Sequence, residues 1–122
     1  MTTTEYRCGV EVTLGVIGGK WKGLILWHLR TKTLRFSQLQ RRLQGVTQKM
    51  LTQQLRELEA DGLIHRQVYA EVPPRVEYSL TATGHQVVPI LEAMCRWGED
   101  FLRETTGIEL SCETTPQSAA VS

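Results

Sequence analysis

The chain has 122 residues, 41% of them hydrophobic, and a formal net charge of +1. That length fits one domain with a modest core, and no apolar run approaches the roughly 18 residues of a membrane span. No basic, apolar and small-residue sequence of the signal-peptide kind opens the chain, so a cytoplasmic protein is expected.

Residues 1–7 are polar and read as a flexible leader. Val10, Leu14 and Ile17 then fall at helical spacing until Gly18 and Gly19 end the run, which gives a short first helix. A second helix spans Lys20 to Leu29, with Trp21, Leu24, Ile25 and Leu29 on one stripe. Trp21 and Trp27 suit core anchoring better than ligand stacking, and His28 suits packing among its apolar neighbours better than catalysis.

Ser37-Gln38-Leu39-Gln40 fits a capping box, with Ser37 as the cap and Gln40 reaching back to it. The third helix should therefore start near Ser37, bury Leu39 and Leu43, and close at Gly45. Thr47 caps the next helix, in which Leu51, Leu55 and Leu58 recur at i, i+4 and i+7, and Gly62 stands where a left-handed residue would stop it. Two short helices joined by Gln44-Gly45-Val46 make a helix-turn-helix arrangement, a pattern that generic helical hairpins share.

The front of the helix that Thr47 caps carries Gln48, Lys49, Thr52, Gln53 and Arg56. Arginine and lysine match guanine acceptors, glutamine matches adenine, and all of them reach phosphates, although a solvated helix face carries the same residue types. Ten basic residues against three acidic ones between Lys20 and Arg66 make this stretch +7, an electrostatic footprint for a polyanion. From Glu99 onward the balance reverses to −4.

Beyond Gly62, Leu63–Val72 and Val76–Thr81 read as two strands around Pro73-Pro74-Arg75. The prolines stiffen the hairpin tip and keep it out of the ladder, so Arg75 is either a groove or phosphate contact or a solvated turn residue. Thr83 could cap a last helix reaching about Glu104, with Pro89 bending it and Val87, Ile90, Leu91, Met94, Trp97 and Phe101 forming an apolar stripe. A partner subunit is the economical cover for that stripe, the alternative being that the helix folds back on its own core. Residues 106–122 read as a disordered tail that contains Cys112.

Cys8, Cys95 and Cys112 are too few for a disulfide scaffold and lack the spacing of a zinc site. Free thiols, no metal and no cofactor are expected. Cys8 lies beside Arg7 ahead of the first helix, a setting that favours the thiolate, yet lone cysteines also serve as inert small hydrophobes. An enzyme is disfavoured, because His28, His65 and His85 are scattered and neither a phosphate loop nor a nucleophile motif occurs. The fold class expected is α+β, mainly α: a winged helix-turn-helix with a two-stranded β-wing and a long C-terminal dimerisation helix, in one domain over residues 8–105.

Several motifs in order, Gly18-Gly19-Lys20-Trp21, Phe36-Ser37-Gln38-Leu39, the run Leu51–Ile64 and Val76-Glu77-Tyr78-Ser79-Leu80-Thr81, resemble the HxlR-type winged-helix transcriptional regulators, relatives of the MarR group. Pro89 and Trp97-Gly98 match as well, and the likeness runs from about Cys8 to Phe101. The resemblance implies a homodimer that binds a pseudo-palindromic double-stranded DNA operator and controls transcription, with repression the favoured mode. Carried over by position, it implies that Gln48, Lys49, Thr52, Gln53 and Arg56 read the major groove, with Ser37 also among the DNA-binding positions and Arg75 as the wing contact. Val10, Leu14, Val87, Leu91, Met94, Trp97 and Phe101 would form the dimer interface. Cys8 occupies the place where some members of the family sense a small electrophile or oxidant. Two other readings stay open: a winged helix for protein-protein assembly, and induction by a small molecule held among Trp21, Trp27, Trp97 and Met94.

Overall fold

A computed structural model describes residues 6–111. Five helices and three strands follow one another as α1 (Gly9–Ile17), α2 (Lys22–Leu29), β1 (Leu34–Arg35), α3 (Phe36–Arg42), α4 (Gln48–Ala60), β2 (Ile64–Tyr69), β3 (Arg75–Leu80) and α5 (Ala82–Thr106). The expected tail and leader fall partly outside these residues, which include neither 1–5 nor 112–122. Two units divide at Gln86, the first holding the helix-turn-helix and the sheet and the second the remainder of α5 from Val87.

The first unit has a core of Ile25, Leu26, Leu29, Leu39, Leu51 and Leu58, all essentially inaccessible to solvent, with Leu43, Leu55, Leu63, Ile64 and Tyr78 around them. Leu51, Leu55 and Leu58 supply the share of α4, which fixes the face that α4 must turn outward. Each such leucine stabilises the fold by about 1.5–3 kcal/mol through burial, far more than any single surface contact contributes. Orientation of α4 is therefore decided by its leucines.

Both ends of α4 are closed by local chemistry. At the start, the Met50 N–H donates to Thr47 Oγ1 at 3.1 Å. At the end, Gly62 takes φ +79°, the Gly62 N–H donates to the Glu59 carbonyl at 3.0 Å, and the Leu63 N–H donates to the Leu58 carbonyl at 3.0 Å. That pair of bonds is a Schellman closure, and it needs a left-handed residue that glycine adopts without strain.

The sheet is antiparallel in the order β1-β3-β2, so the two long strands of the wing gain a short third neighbour. Pairing Leu34 with Tyr78 and Arg35 with Glu77 holds residue 35 extended. This corrects the cap expected for α3. The helix starts at Phe36 rather than Ser37, Arg35 is the residue before it, and Gln38 rather than Gln40 reaches back, accepting the Arg35 N–H at 2.8 Å.

The start of α5 is corrected in the same way, from Thr83 to Ala82, with Thr81 as the residue that closes it. Thr81 Oγ1 donates to the Gly62 carbonyl at 2.6 Å and accepts the Gly84 N–H at 3.1 Å, while the Thr81 N–H donates to the Leu63 carbonyl at 3.0 Å. The first turn of α5 is thereby tied to the C-terminal end of α4. From there α5 runs 25 residues, about 37 Å at 1.5 Å per residue, through Pro89 without a break in assignment.

Candidate nucleic-acid interface

With three leucines buried, the outer face of α4 presents Gln48, Lys49, Thr52, Gln53 and Arg56 together, and these five with Thr47 line a shallow depression of about 640 Å³. All five of the side chains expected to read DNA from this helix thus share one surface. Ser37 lies apart on α3, exposed but lining no described depression. One member of the group is already held: Gln53 Nε2 donates to Glu57 Oε2 at 2.7 Å, and Glu57 Oε1 meets Lys22 Nζ of α2 at 2.6 Å. Those two contacts, the Gln53 hydrogen bond first, hold the Glu57 carboxyl below the usual carboxylate range.

A second cleft, of about 570 Å³, opens between α4 and the sheet. Gln48, Thr52 and Arg56 form one wall of it, with Leu55 and Glu59 further along the helix; Arg66 and Val76 come from the strands, with Phe36 and Tyr78 at the base. Arg66 and Glu59 were not singled out from sequence. The signal for Arg66 is in its register, since directly opposed residues of an antiparallel pair project to the same face. Arg66 stands opposite Tyr78, and Tyr78 is buried in the core, so Arg66 belongs to the face turned toward α4.

Arg75 is placed differently. It pairs across the strands with Tyr69, its guanidinium carbon lies 3.9 Å from the centre of that ring, and its nitrogens reach Glu71 at 3.2 Å and Glu77 at 3.5 Å. Its Nε is buried without a hydrogen-bond partner. These contacts put Arg75 on the opposite face of the wing from Arg66, half-buried and neutralised by two carboxylates.

Cys8 is the residue immediately before α1, exposed and carrying a free thiol. The expectation of free thiols is corrected at Cys95, which is disulfide-bonded. Cys112 lies outside the described residues. His28 is packed as expected. Burial, followed by the charges of Arg42 and Arg30, pushes it from 6.5 down to about 4, so it is neutral near pH 7.

Of the residues expected at a dimer interface, Val10 and Leu14 on α1 and Met94, Trp97 and Phe101 on α5 are more than half exposed. Trp97 and Phe101 stack with ring centres 4.9 Å apart, which makes a continuous aromatic surface. Val87 is only half-buried, and Leu91 is already buried within the chain at 5% exposure. Among the described residues no group of His, Cys, Asp and Glu could hold a metal ion, and no helix is long and apolar enough to cross a membrane.

A helix-turn-helix whose second helix turns a polar, cationic front outward, followed by a two-stranded wing, defines a winged helix-turn-helix protein of the kind that regulates transcription. The HxlR-like helix-turn-helix family matches residues 16–106, and the chain belongs to that family. An HTH-type transcriptional regulator of Methanothermobacter thermautotrophicus is 58% identical over 101 residues, covering 83% of this chain and 77% of that protein. The HTH-type transcriptional regulator YtcD of Bacillus subtilis is 51% identical over 107 residues, covering 88% and 85% of the two chains. Among solved structures, the redox regulator HypR in its oxidised form superposes with a TM-score of 0.73 at 55% identity, over 76% of this chain and 96% of that one. The protein is accordingly a transcriptional regulator with a winged helix-turn-helix fold.

Proposed function

We propose that this protein is a cytoplasmic homodimeric repressor that binds a pseudo-palindromic DNA operator, with α4 of each subunit in the major groove. The observation that carries this reading is the front of α4, where Gln48, Lys49, Thr52, Gln53 and Arg56 converge on one surface while Leu51, Leu55 and Leu58 hold the helix from behind. A face built for docking protein would be expected to carry aromatic or aliphatic anchors, and this one has none. The aromatic surface of Trp97 and Phe101 supports dimerisation through α5. In the dimer the two α4 helices should lie about 34–36 Å apart, one turn of duplex.

The signal is proposed to reach the protein at Cys8. Its thiol is free and exposed, it adjoins Arg7, and it is the residue immediately before α1. The thiol would add to a ring carbon of a quinone, forming a C–S bond while its proton passes to the quinone, which becomes a hydroquinone. A relative that is itself a redox regulator supports chemistry of this class.

Footprinting on the DNA flanking the gene, with and without a quinone or diamide, tests both parts. The expected result is a symmetric protected site that disappears on treatment, with Cys8→Ala keeping the footprint and losing the response. Protection of no discrete site removes the regulator mechanism; a Cys8→Ala protein that still releases DNA removes Cys8 as the sensor.

A further inference from the structure

We infer that the wing engages DNA through Arg66 rather than Arg75, and that the cleft between α4 and the sheet seats the sugar-phosphate strand bordering the major groove. This rests on the DNA-binding reading and assigns to it a site and a residue.

Three observations converge. The strand register puts Arg66 on the α4 side of the wing and Arg75 on the far side. Charge availability separates the two arginines as well: Arg75 faces Glu71 and Glu77 and stacks on Tyr69, whereas among the described residues no carboxylate pairs with Arg66 or with Arg56 across the cleft. The third is the composition of the cleft walls. Gln48, Thr52 and Arg56 recur at four-residue intervals, so one stripe of α4 offers an amide, a hydroxyl and a guanidinium along the cleft.

Those three donors with Arg66 are the set that binds phosphate and sugar oxygens, and Arg66 supplies the opposing wall. Glu59 also lines the cleft, at the far end of the stripe from Gln48, and leaves the two arginines in excess. A phosphate drawn between Arg56 and Arg66 would be clamped from both sides. Arg75 meanwhile acts inside the wing, as a positioning residue that holds the outer face of the hairpin through Tyr69, Glu71 and Glu77.

The test is fluorescence anisotropy over a series of salt concentrations, with a duplex from the region upstream of the gene and a random duplex of equal length. One lost phosphate contact lowers the slope of log affinity against log salt by about 0.9, which is roughly an eightfold loss at 0.1 M salt. Arg66→Ala is expected to show that loss on both duplexes alike, Arg66→Lys to restore most of the slope, and Arg75→Ala to leave the slope unchanged. Thermal unfolding of each variant separates a lost contact from a loosened wing. An unchanged slope for Arg66→Ala overturns the inference, as does a loss confined to the upstream duplex or a slope change that appears in Arg75→Ala instead. If the wild-type protein itself binds neither duplex, the DNA-binding reading fails first and takes the inference with it.

Discussion

Gly84→Ala is a substitution for which simple helix propensity and the packing at this position predict opposite signs. A Cβ at Gly84 would lie 2.2 Å from the Leu63 carbonyl oxygen, where a C–O contact normally requires about 3.3 Å. The obstacle is backbone, and it is held in place: the same carbonyl accepts the Thr81 N–H, and Thr81 Oγ1 bridges the Gly62 carbonyl and the Gly84 N–H. Overpacking of a tight site costs about 1–3 kcal/mol, and loosening two of those hydrogen bonds costs about 1 kcal/mol each. Against this, alanine is favoured over glycine in a helix by about 0.5–1 kcal/mol. The balance is a destabilisation of about 2–4 kcal/mol, a fall in Tm of about 8–16 °C for a domain of this size. Gly9, at the start of α1, has open space around it, so Gly9→Ala should lie within about 0.5 kcal/mol of wild type. Urea and thermal unfolding followed by circular dichroism, at one fixed protein concentration, measures both. If Gly84→Ala matches or exceeds the wild type in stability, the junction between α4 and α5 is not the close contact argued for.

Arg56→Ala should weaken binding to the upstream duplex and to random DNA alike, by about eightfold at 0.1 M salt for one lost phosphate contact, as measured by anisotropy; a loss confined to the upstream duplex would make it a base contact instead. Trp97→Ser should weaken the proposed dimer by at least about 2 kcal/mol, a thirtyfold or greater rise in its dissociation constant by sedimentation, and an unchanged constant would overturn an interface through this face of α5. His28 gives a pH signature. Its folded pKa of about 4 lies below the unfolded 6.5, so as pH falls the unfolded chain takes up a proton that the folded one refuses. Stability should therefore be full above about pH 7.5 and decline by about 1–2 kcal/mol between pH 6.5 and 4, solvent at the partly exposed ring screening the rest, and His28→Gln should flatten that decline.

The parts of the fold governed by one segment were legible in the sequence. Thr47, the leucine stripe and Gly62 fix α4 within thirteen residues, and the structure has the helix between those limits. What required a distant partner was misjudged. The start of α3 depends on β1 pairing with β3 more than forty residues on, and the start of α5 depends on Thr81 finding the carbonyl of Gly62. On the inference drawn for the wing, Arg66 and Arg75 are a functional instance of the same difficulty. Proximity to the proline tip drew attention to Arg75, whereas the face on which an arginine emerges depends on the register between β2 and β3, which Val72-Pro73-Pro74 alone does not specify.

The reading face combines side chains that are already fixed with others that binding must order. A carboxylate only accepts hydrogen bonds, so Gln53 has to turn one N–H of its amide nitrogen toward Glu57, and its carbonyl oxygen and second N–H are left for a ligand. On the proposed DNA-binding reading, the base preferred at that position is adenine, whose N6 amino group and N7 match that carbonyl and N–H. Lys22, reaching from α2 with only 12% of its side chain exposed, fixes Glu57 from behind, so the choice is supported by the helix that packs beneath. Holding a side chain in its bound rotamer before binding removes about 0.5–1.5 kcal/mol of ordering cost. Arg56 and Arg66 have no carboxylate of this kind among the described residues and would be ordered by the phosphate itself. Lys22→Met should therefore act differently from Arg66→Ala: base preference opposite Gln53 should relax while the salt slope stays as it was. If the slope falls and the preference holds, Lys22 is acting as a cation toward DNA and the relay through Glu57 has no part in recognition.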